Sequence, residues 1–487
     1  MSRNVALVVL DTVRKDYFDE YAPRLRHASD TSFEACRAAS SWSVPSHTSI
    51  FTGELPSEHG VHAEGFDSRF DFSEFDTAET FLGDLPDHTT AGFSANSYIN
   101  SHFGADALFG EFHDFSIGSH TAETLFTEGV TVQEYMESTD EPSAAKRYTG
   151  FLRECLEHDR PVKSAANGVW ALAGPKVKAL PVPVPELVDD GASVITETIE
   201  GTADRTEEPW FFFANYMDAH TPLRNLIQHD RSMHSVPDSW SSTEIDKWEL
   251  NKDGLATEEY TRNYRDVYGA AIDYLDRTVA GMVEDLEAAT DRETTVVVTA
   301  DHGHNLGYEA EDGLFHHTGS MSEGVMHVPL EILNPPEGWP ETETRLFSQL
   351  DLGELVRRLA HDRPPGEALF RDRVPAETVG LLGGDNRTWG REFSDEEFEW
   401  WNRMMRCVYE GTEKRQWNSV GERFEYRLDP DRPSRQWPVD EGVEIPEADR
   451  QLFGTALRAY KRAVSEAEQD TDFDDEVAEH LETLGYL

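Results

Sequence analysis

Residues 5–10 read VALVVL and are followed directly by Asp11. Such an uninterrupted apolar run, rich in β-branched side chains, is typical of a parallel strand covered on both faces. Two later segments repeat the pattern: residues 208–216 (EPWFFFANY) precede MDAH, and residues 294–300 (TTVVVTA) precede DHGH. Ligands of open α/β sheets bind beyond the carboxyl ends of the strands. The three segments therefore predict an α/β fold with acids and histidines gathered at one edge of a sheet.

The segments around these strands predict helices and a second domain. Over residues 258–287, apolar side chains recur every three or four positions, which predicts a crossover helix before the third strand. Residues 120–190 are polar and partly helical, and we interpret them as an insertion that caps the sheet. Further on, short strand-like pieces precede a final helix over 450–466. We expect a large domain over 1–340 and a smaller one over 341–487.

The net charge of the chain indicates which classes of binding partner are disfavoured. The chain has 43 Lys and Arg against 94 Asp and Glu, a net charge of −51, and the acids are spread along its whole length. Such a surface repels nucleic acid and anionic membranes, and it stays hydrated when salt screens charge. We predict a halophilic protein without a nucleic-acid partner. The alternative, an acidic protein of low-salt surroundings, is disfavoured because self-repulsion would strain its fold.

Cysteine usage and the N-terminus indicate the compartment. Cys36, Cys155 and Cys407 are odd in number and form no CxxC pair, which argues against a disulfide framework or a zinc knuckle. The first apolar run has six residues and ends in an acid, so it is too short for a signal peptide or a membrane span. We therefore expect a cytoplasmic protein. The sequence leaves the oligomeric state open.

Acids at the ends of two strands suggest a metal site. Asp11 follows the first strand, and Asp301 and His302 follow another. Carboxylate oxygens suit hard divalent cations, and an imidazole suits a borderline metal. Either Asp alone would more often be a helix cap or a turn residue. Two acids placed in the same way favour a shared metal site.

A serine-rich turn suggests a nucleophile. Residues 41–48 read SWSVPSHT and lead into an apolar helix start. Ser43 would lie at the N-terminus of that helix, where the dipole and free amides favour an anion. Ser43, Ser46 and Thr48 are equally good helix caps, so the pattern leaves nucleophile and cap both open.

Histidines are concentrated in and near the same loops. A lone histidine is more often structural, but a cluster beside metal ligands can protonate a leaving oxygen or pair with an oxyanion. His220 in MDAHTP and His317 in FHHTGS follow strand ends most directly. The cluster consists of His47, His59, His62, His102, His220, His302, His304, His316 and His317.

Four blocks resemble the sulfatase family of the alkaline phosphatase superfamily, in its haloarchaeal type. They are NVALVVLDTVRKD, SVPSHTSIFTGELPSEHGVH, PWFFFANYMDAHTPL and TVVVTADHGHNLGY…LFHHTGSMSEGVMHVPL, in the family's order and spacing. The resemblance covers about residues 4–110 and 205–335, and the ending ETLGYL is also similar. It implies an alkaline-phosphatase-like mixed, largely parallel sheet flanked by helices, with a smaller C-terminal α+β subdomain.

The resemblance also implies roles for individual residues. Asp11, Asp301 and His302 fall on metal ligands, usually for Ca²⁺, or for Mn²⁺ or Zn²⁺ in phosphodiester-cleaving relatives. Ser43 falls on the nucleophile, which true sulfatases convert from Cys or Ser to formylglycine. His47 stands where the CxPSR or SxPxR signature has an arginine.

Three further positions differ in how closely they follow the family pattern. His220 falls on a histidine that typically binds the ester oxygen or assists the leaving group. His317 stands where many members have a lysine that contacts the transferred group. Thr12 stands where many members carry a second acid, which implies one fewer carboxylate around the metal.

The resemblance implies a metal-dependent hydrolase of sulfate esters, with Ser43 as nucleophile or formylglycine precursor, acting on an anionic small-molecule or glycan ester. The alternatives are a phosphodiester or phosphonate monoester hydrolase, or a phosphotransferase, that uses unmodified Ser43. A catalytically inactive binding protein is disfavoured because Asp11, Asp301 and His302 are all present.

Overall fold

The computed structural model describes residues 2–62, 71–116, 129–132, 135–136, 139, 143–158, 160–178, 185–317, 319–380 and 393–466. The strands are β1 (Asn4–Leu10), β2 (Thr31–Phe33), β3 (Cys36–Arg37), β4 (Thr89–Ser94), β5 (Glu111–Asp114), β6 (Trp210–Tyr216), β7 (Thr294–Thr299), β8 (Asn305–Leu306), β9 (Phe315–His316), β10 (Leu330–Leu333), β11 (Thr342–Glu343), β12 (Phe347–Ser348), β13 (Val374–Val379), β14 (Met404–Glu410), β15 (Glu413–Asn418), β16 (Arg423–Leu428) and β17 (Gln436–Glu441). The helices are α1 (Lys15–Tyr21), α2 (Pro23–Ala28), α3 (Ser43–Thr52), α4 (Pro56–His59), α5 (Ala144–Glu157), α6 (Pro161–Lys178), α7 (Ala192–Arg205), α8 (Lys247–Asn251), α9 (Glu258–Ala289), α10 (Glu323–Met326), α11 (Leu352–Ala360), α12 (Asp395–Trp401), α13 (Glu447–Arg450) and α14 (Leu457–Glu466).

An eight-stranded sheet forms the centre of the larger part of the molecule, with strand order β11-β2-β10-β7-β1-β6-β4-β5. Strand β1 pairs in parallel with both β6 and β7, and β4 and β5 continue the parallel set. Strand β10 runs antiparallel to its neighbours β7 and β2. Every residue of β1, β6 and β7 is buried, which explains their continuous apolar sequences. The predicted mixed, largely parallel sheet is confirmed.

Helix α9 is the predicted crossover helix before β7. It begins after Thr257, whose hydroxyl oxygen accepts a hydrogen bond from the Tyr260 amide and so caps the first turn. Its buried side includes Tyr264, Tyr268 and Leu275, which belong to the main hydrophobic core. The apolar spacing in the sequence therefore identified both the helix and its inward face.

A five-stranded antiparallel sheet, β13 to β17 in chain order, forms the C-terminal subdomain together with α12, α13 and α14. Buried ion pairs attach it to the main part of the molecule. Glu323 of α10 pairs with Lys414 of β15 at 3.1 Å and with Arg37 of β3 at 3.1 Å. Removing one partner of a buried pair leaves an uncompensated charge, so these contacts specify how the subdomain is docked. The predicted C-terminal α+β subdomain is confirmed, while the boundary at residue 340 stays a prediction.

The prediction of one final helix over 450–466 is wrong. The chain forms the short helix α13, then a turn, and only then α14. In the turn, the Arg406 guanidinium donates hydrogen bonds to the Thr455 carbonyl at 2.6 Å and to its hydroxyl at 3.0 Å. Phe453 is buried edge-to-face against Trp417. These tertiary contacts interrupt a segment whose local pattern is helical throughout.

The predicted insertion over 120–190 contains helices α5 and α6, and its role as a cap stays a prediction. The ending ETLGYL lies outside the described residues. Every helix in the described ranges is too short or too polar to cross a bilayer. The halophilic and cytoplasmic assignments stay predictions.

Candidate functional site

Asp11 and Asp301 meet at the carboxyl edge of the sheet because β1 and β7 are adjacent parallel strands. Asp11 directly follows β1, and Asp301 follows β7 after one residue. Ligand atoms of Asp11, Asp301 and His302 all lie within 4.8 Å of one another, and the three side chains are buried. The structure therefore brings together the three predicted metal ligands.

Each of these side chains is oriented by a hydrogen bond on its far side. The Asn96 amide donates to Asp11 Oδ2 at 2.8 Å, and the Thr12 backbone N–H donates to Asp301 Oδ1 at 3.2 Å. His302 Nδ1 lies 2.8 Å from the Gly303 carbonyl, which assigns the proton to Nδ1. The Nε2 lone pair then faces Asp301 and the inside of the site, the arrangement that metal-binding histidines adopt.

Two carboxylate oxygens in this group are left unpaired. Asp11 Oδ1 and Asp301 Oδ2 are buried and have no hydrogen-bond partner among the described residues. A buried, unsatisfied carboxylate oxygen carries a large desolvation penalty, which a cation between the two would offset. Two carboxylates and one neutral imidazole suit Ca²⁺, Mn²⁺ or Zn²⁺. The residues present thus fit a divalent metal ion.

The electrostatics of the two acids agree with a cation site. Burial, and then the charge of Asp301, raise the pKa of Asp11 well above its usual value. Burial alone would also raise the pKa of Asp301, but His302 and His47 beside it bring that pKa below its usual value. Two carboxylates that resist ionising together are stabilised when a positive charge lies between them.

Thr12 contacts the site through its backbone N–H rather than through its side chain. Its φ angle of 62° places a β-branched residue in the left-handed region, where such residues are rarely found. Its hydroxyl donates to the Asp11 carbonyl at 2.7 Å and lies 3.1 Å from the Ala219 carbonyl, so it is turned away from the metal ligands. This strained conformation presents the Thr12 N–H to Asp301.

Ser43 is the first residue of α3 and lies against the metal ligands. Its hydroxyl donates to Asp11 Oδ2 at 3.2 Å and lies 3.4 Å from His302 Nε2. The helix cap is Trp42, which makes no side-chain capping bond. The hydroxyls of Ser46 and Thr48 instead contact the Ser40 and Val44 carbonyls. The alternative that one of these hydroxyls serves as a cap is therefore wrong.

His47 lies one helical turn after Ser43 and contacts both the nucleophile segment and a metal ligand. Its Nδ1 lies 2.8 Å from the Ser43 carbonyl and 3.6 Å from Asp301 Oδ2. With the proton on Nδ1, Nε2 accepts from the Asn215 amide at 3.3 Å. Burial lowers the pKa of His47, although Asp301 and the Ser43 carbonyl oppose the shift. His47 therefore supports Ser43 and Asp301 as a neutral imidazole.

His220 and His317 lie close to His302, one of the predicted metal ligands. The ring centre of His317 lies 4.5 Å from that of His302 and 6.0 Å from that of His220. Burial and the nearby His302 lower the pKa of His220 to about 4. Burial, His302 and His220 together lower the pKa of His317 well below its usual value. All seven predicted site residues are thus gathered at one sheet edge.

Sequence reasoning missed Asn96 and Asn215. Asn96 orients Asp11, and Asn215 contacts His47 while its own Oδ1 is buried without a partner among the described residues. The sequence contained a signal for each of these two asparagines. Asn96 follows the end of β4 as Asp11 follows β1, and Asn215 is a polar residue inside the otherwise apolar strand β6.

Some histidines of the predicted cluster belong to the scaffold instead. His304 Nε2 pairs with the Tyr264 hydroxyl at 2.7 Å, and His316 Nδ1 lies 3.3 Å from the Thr221 hydroxyl. His59 pairs with Ser49 at 3.1 Å. His62 contacts the C-terminal subdomain instead, where its Nε2 pairs with the Tyr460 hydroxyl of α14 at 2.8 Å.

We expect His62 to make the fold sensitive to acid. Burial, and then Lys461, lower its pKa from 6.5 to about 4, so the unfolded chain takes up this proton first as the pH falls. The stabilisation is therefore complete above pH 6.5 and is lost between pH 6.5 and about 4, by up to roughly 3 kcal/mol. Urea unfolding across this range should show a shallower loss in His62→Gln than in wild type. Equal slopes would contradict the assignment.

The sequence matches a family model described as Sulfatase over residues 3–361, which include all seven predicted site residues. The chain belongs to the sulfatase family. Among curated protein sequences, none is detectably similar to it. The match extends over the whole eight-stranded sheet, so membership in the sulfatase family rests on the same elements that assemble the site.

Solved structures share the sulfatase-family fold over nearly the whole chain. A phosphonate monoester hydrolase from Silicibacter pomeroyi is similar with a TM-score of 0.55 and 15% identity, covering 87% of this chain and 89% of that one. The phosphonate monoester hydrolase of Agrobacterium radiobacter gives 0.55 and 15%, covering 89% and 91%. A 2-O GAG sulfatase gives 0.56 and 14%, covering 98% and 96%. At these identities the likeness concerns the fold.

Proposed function

We propose that this chain is a metal-dependent hydrolase of monoanionic sulfate esters, with Ser43 as the nucleophile or as the precursor of formylglycine. Family membership supports hydrolysis of sulfate or phosphate esters. The observation that carries the finer proposal is the contact of the Ser43 hydroxyl with Asp11 Oδ2 at 3.2 Å, beside unpaired oxygens of Asp11 and Asp301. A hydroxyl among metal ligands at a helix N-terminus is suited to attack an anionic ester.

The first half of the reaction forms a bond from Ser43 Oγ to sulfur. Asp11, Asp301 and His302 would hold a divalent cation, which would polarise the ester oxygens and lower the pKa of the attacking hydroxyl. Asp11 Oδ2 already accepts the Ser43 hydrogen bond, so the proton has an acceptor as Oγ attacks. The bond between sulfur and the alcohol oxygen breaks on the opposite side.

The leaving oxygen needs a proton, and His220 and His317 are placed to supply it. Their lowered pKa values keep both imidazoles neutral before substrate binds. A bound anion favours the charged form of a nearby imidazole, so one of them can take up a proton on binding and pass it to the departing alcohol.

The second half releases sulfate and restores the nucleophile. If position 43 is a formylglycine hydrate, its second hydroxyl loses a proton and the carbonyl re-forms as the carbon–oxygen bond to sulfate breaks. If Ser43 is unmodified, water attacks the sulfur and the Ser43 oxygen leaves with a proton. In the first route water then adds to the carbonyl and restores the hydrate, and in the second the serine hydroxyl is restored directly, so each route consumes one water molecule.

Charge balance favours a singly charged ester. A divalent cation and the carboxylates of Asp11 and Asp301 cancel one another. The imidazoles of His47, His220 and His317 are neutral before substrate binds, because burial lowers the pKa of each, so the one proton taken up on binding balances a single negative charge. A dianionic phosphate monoester would therefore remain uncompensated in a buried site, whereas a sulfate monoester carries one charge.

A second candidate is hydrolysis of a phosphodiester or phosphonate monoester by unmodified Ser43. The observation that favours it is His47, which contacts the Ser43 carbonyl from the position of the arginine in the family signature. These esters are also monoanions, so they satisfy the same charge balance. A phosphorylated serine is a usual covalent intermediate for water to attack.

We expect turnover of 4-nitrophenyl sulfate to exceed that of 4-nitrophenyl phosphate by at least about 100-fold when Ca²⁺, Mn²⁺ or Zn²⁺ is added. The mass of the peptide that contains Ser43 should show the loss of two hydrogens if formylglycine forms. An unmodified peptide, with faster turnover of bis(4-nitrophenyl) phosphate than of the sulfate, would establish the second candidate. Preference for the phosphate monoester would overturn the charge argument and both candidates.

A further inference from the structure

Helices α5 and α6 form a hairpin over residues 143–178 that the proposed chemistry does not use. We call it the basic hairpin. Its two helices pack on each other through a small core that contains Phe151, Cys155 and Val130. Gly168 allows this packing, because a Cβ added there would lie 2.5 Å from the Phe151 ring. The Phe151 side of α5 therefore faces α6.

A second apolar face of the basic hairpin is exposed to solvent. Tyr148, Leu152 and Leu156 are spaced by four residues on α5, and Val162 and Val169 by seven on α6, so each set shares one side of its helix. Leu156 is 79% exposed and Val162 is 81% exposed. Five of the ten large apolar side chains that stand exposed in the described residues belong to this hairpin. Such a concentration marks an interaction surface.

The charge of the basic hairpin is opposite to that of the chain. Residues 143–178 contain seven Lys and Arg against three Asp and Glu, a net charge of +4, in a chain of net charge −51. Lys146, Arg153 and Arg160 are exposed. Arg153 contacts Glu157 at 2.8 Å, and both side chains are exposed. The positive segment and the exposed apolar face thus coincide.

We propose that the basic hairpin binds the surface of a bilayer rich in anionic lipids, with Leu152, Leu156 and Val162 inserted at the level of the headgroups. Helices with an apolar face and a Lys- and Arg-rich polar face lie in this interface. Basic residues near an anionic leaflet add attraction within a Debye length. The acidic remainder of the protein is repelled by the same surface, so the hairpin is the part that faces the lipid.

Charge disfavours a second copy of the chain as the occupant of this face. Two hairpins placed face to face would bring together two segments that each have a net charge of +4. The acidic remainders of the two chains would repel each other as well. A leaflet of anionic lipid provides the complementary sign together with an apolar layer. Binding of this kind is independent of the reaction at Ser43.

The test is flotation of the full chain with two sets of vesicles, one of phosphatidylcholine alone and one of equal parts phosphatidylcholine and phosphatidylglycerol. We expect at least about ten-fold more protein to float with the second set. The double variant Leu152→Asp, Leu156→Asp should lower that binding by about ten-fold or more, because two acids replace inserted apolar side chains. Its hydrolysis of a soluble aryl ester should equal that of wild type, which shows that it folds.

A matched control is the double variant Leu255→Asp, Val439→Asp. Leu255 is 54% exposed and Val439 53%, like Leu152 at 53%, but both lie outside the basic hairpin. The control should float as wild type does. The proposal is overturned if wild type does not float with the anionic vesicles, or if the control and the hairpin variant lose binding equally. It is also overturned if the hairpin variant instead changes the oligomeric mass of the protein in the absence of lipid.

Discussion

Replacement of Ser43 by Ala is expected to lower kcat by roughly 10³-fold or more, since the proposed mechanism uses its hydroxyl as the nucleophile. The fold should remain intact, because the Ser43 hydroxyl caps no helix and, among the described residues, bonds to Asp11 and His302 alone. The Asp11 carboxylate would lose one hydrogen bond, which changes the free energy of unfolding by about 1 kcal/mol. Steady-state rates and urea unfolding of the same preparation measure both effects.

Ser46→Ala is the matched control for this experiment. Ser46 is buried in the same helix, three residues further on, and its hydroxyl donates to the Ser40 carbonyl at 3.1 Å rather than to a metal ligand. It should lose about 1 kcal/mol of stability and keep kcat within a few-fold of wild type. Retained turnover in Ser43→Ala would place the nucleophile on another residue.

Replacement of Asp11 by Asn is expected to stabilise the fold without metal and to make it less stable than wild type when metal is added. Asp11 has a raised pKa in the fold, so its stabilisation is complete below pH 3.8 and is lost as the pH rises through the folded pKa. At pH 7 without metal, the amide replaces a carboxyl group whose ionisation is disfavoured by burial and by the charge of Asp301. We expect Asp11→Asn then to be more stable than wild type by roughly 1–2 kcal/mol.

With a saturating divalent ion, the order of stability should invert. Wild type gains the binding free energy of the ion, whereas Asp11→Asn has lost a charged ligand and gains little. Turnover of the variant should fall by roughly 10³-fold, since the cation of the proposed mechanism would polarise the ester and activate Ser43. Thermal unfolding in chelator and in Ca²⁺, Mn²⁺ or Zn²⁺ measures the inversion.

Asp276→Asn is a control for the loss of a buried carboxylate as such. Asp276 is buried, accepts the Leu25 amide at 2.8 Å and the Arg24 amide at 3.1 Å, and contacts none of the metal ligands. Its replacement should change the free energy of unfolding by the same amount with and without metal. If Asp11→Asn behaves in this way too, Asp11 does not bind a cation.

Strand β1, helix α9 and the meeting of the three predicted metal ligands could be predicted because they depend on local patterns. A strand buried on both faces needs a continuous apolar sequence, and a crossover helix needs an apolar side every three or four residues. Where such a strand ends in an acid, the topology of a parallel sheet brings that acid to a common edge. Asp11 and Asp301 are 290 positions apart in the chain, yet this rule predicts their meeting.

Other features depend on contacts between distant segments. The break between α13 and α14 follows from Arg406 and Trp417, which belong to another part of the chain. The roles of Asn96 and Asn215 follow from their contacts with Asp11 and His47. Whether Ser43 caps a helix or faces a metal ligand was open in the sequence, because a serine hydroxyl suits both and only its partner in space distinguishes them.

One physical reason explains why the sequence predicted some of these features and not others. Burial and periodicity act on neighbouring residues, so the sequence alone determined the sheet, the crossover helix and the chemical kind of the site. Hydrogen bonds, buried ion pairs and unpaired oxygens depend on which atoms lie within about 3 Å across the fold. Only the tertiary structure could therefore decide that Asp11 and Asp301 leave two oxygens unsatisfied, and that the apolar face of a basic hairpin stands open.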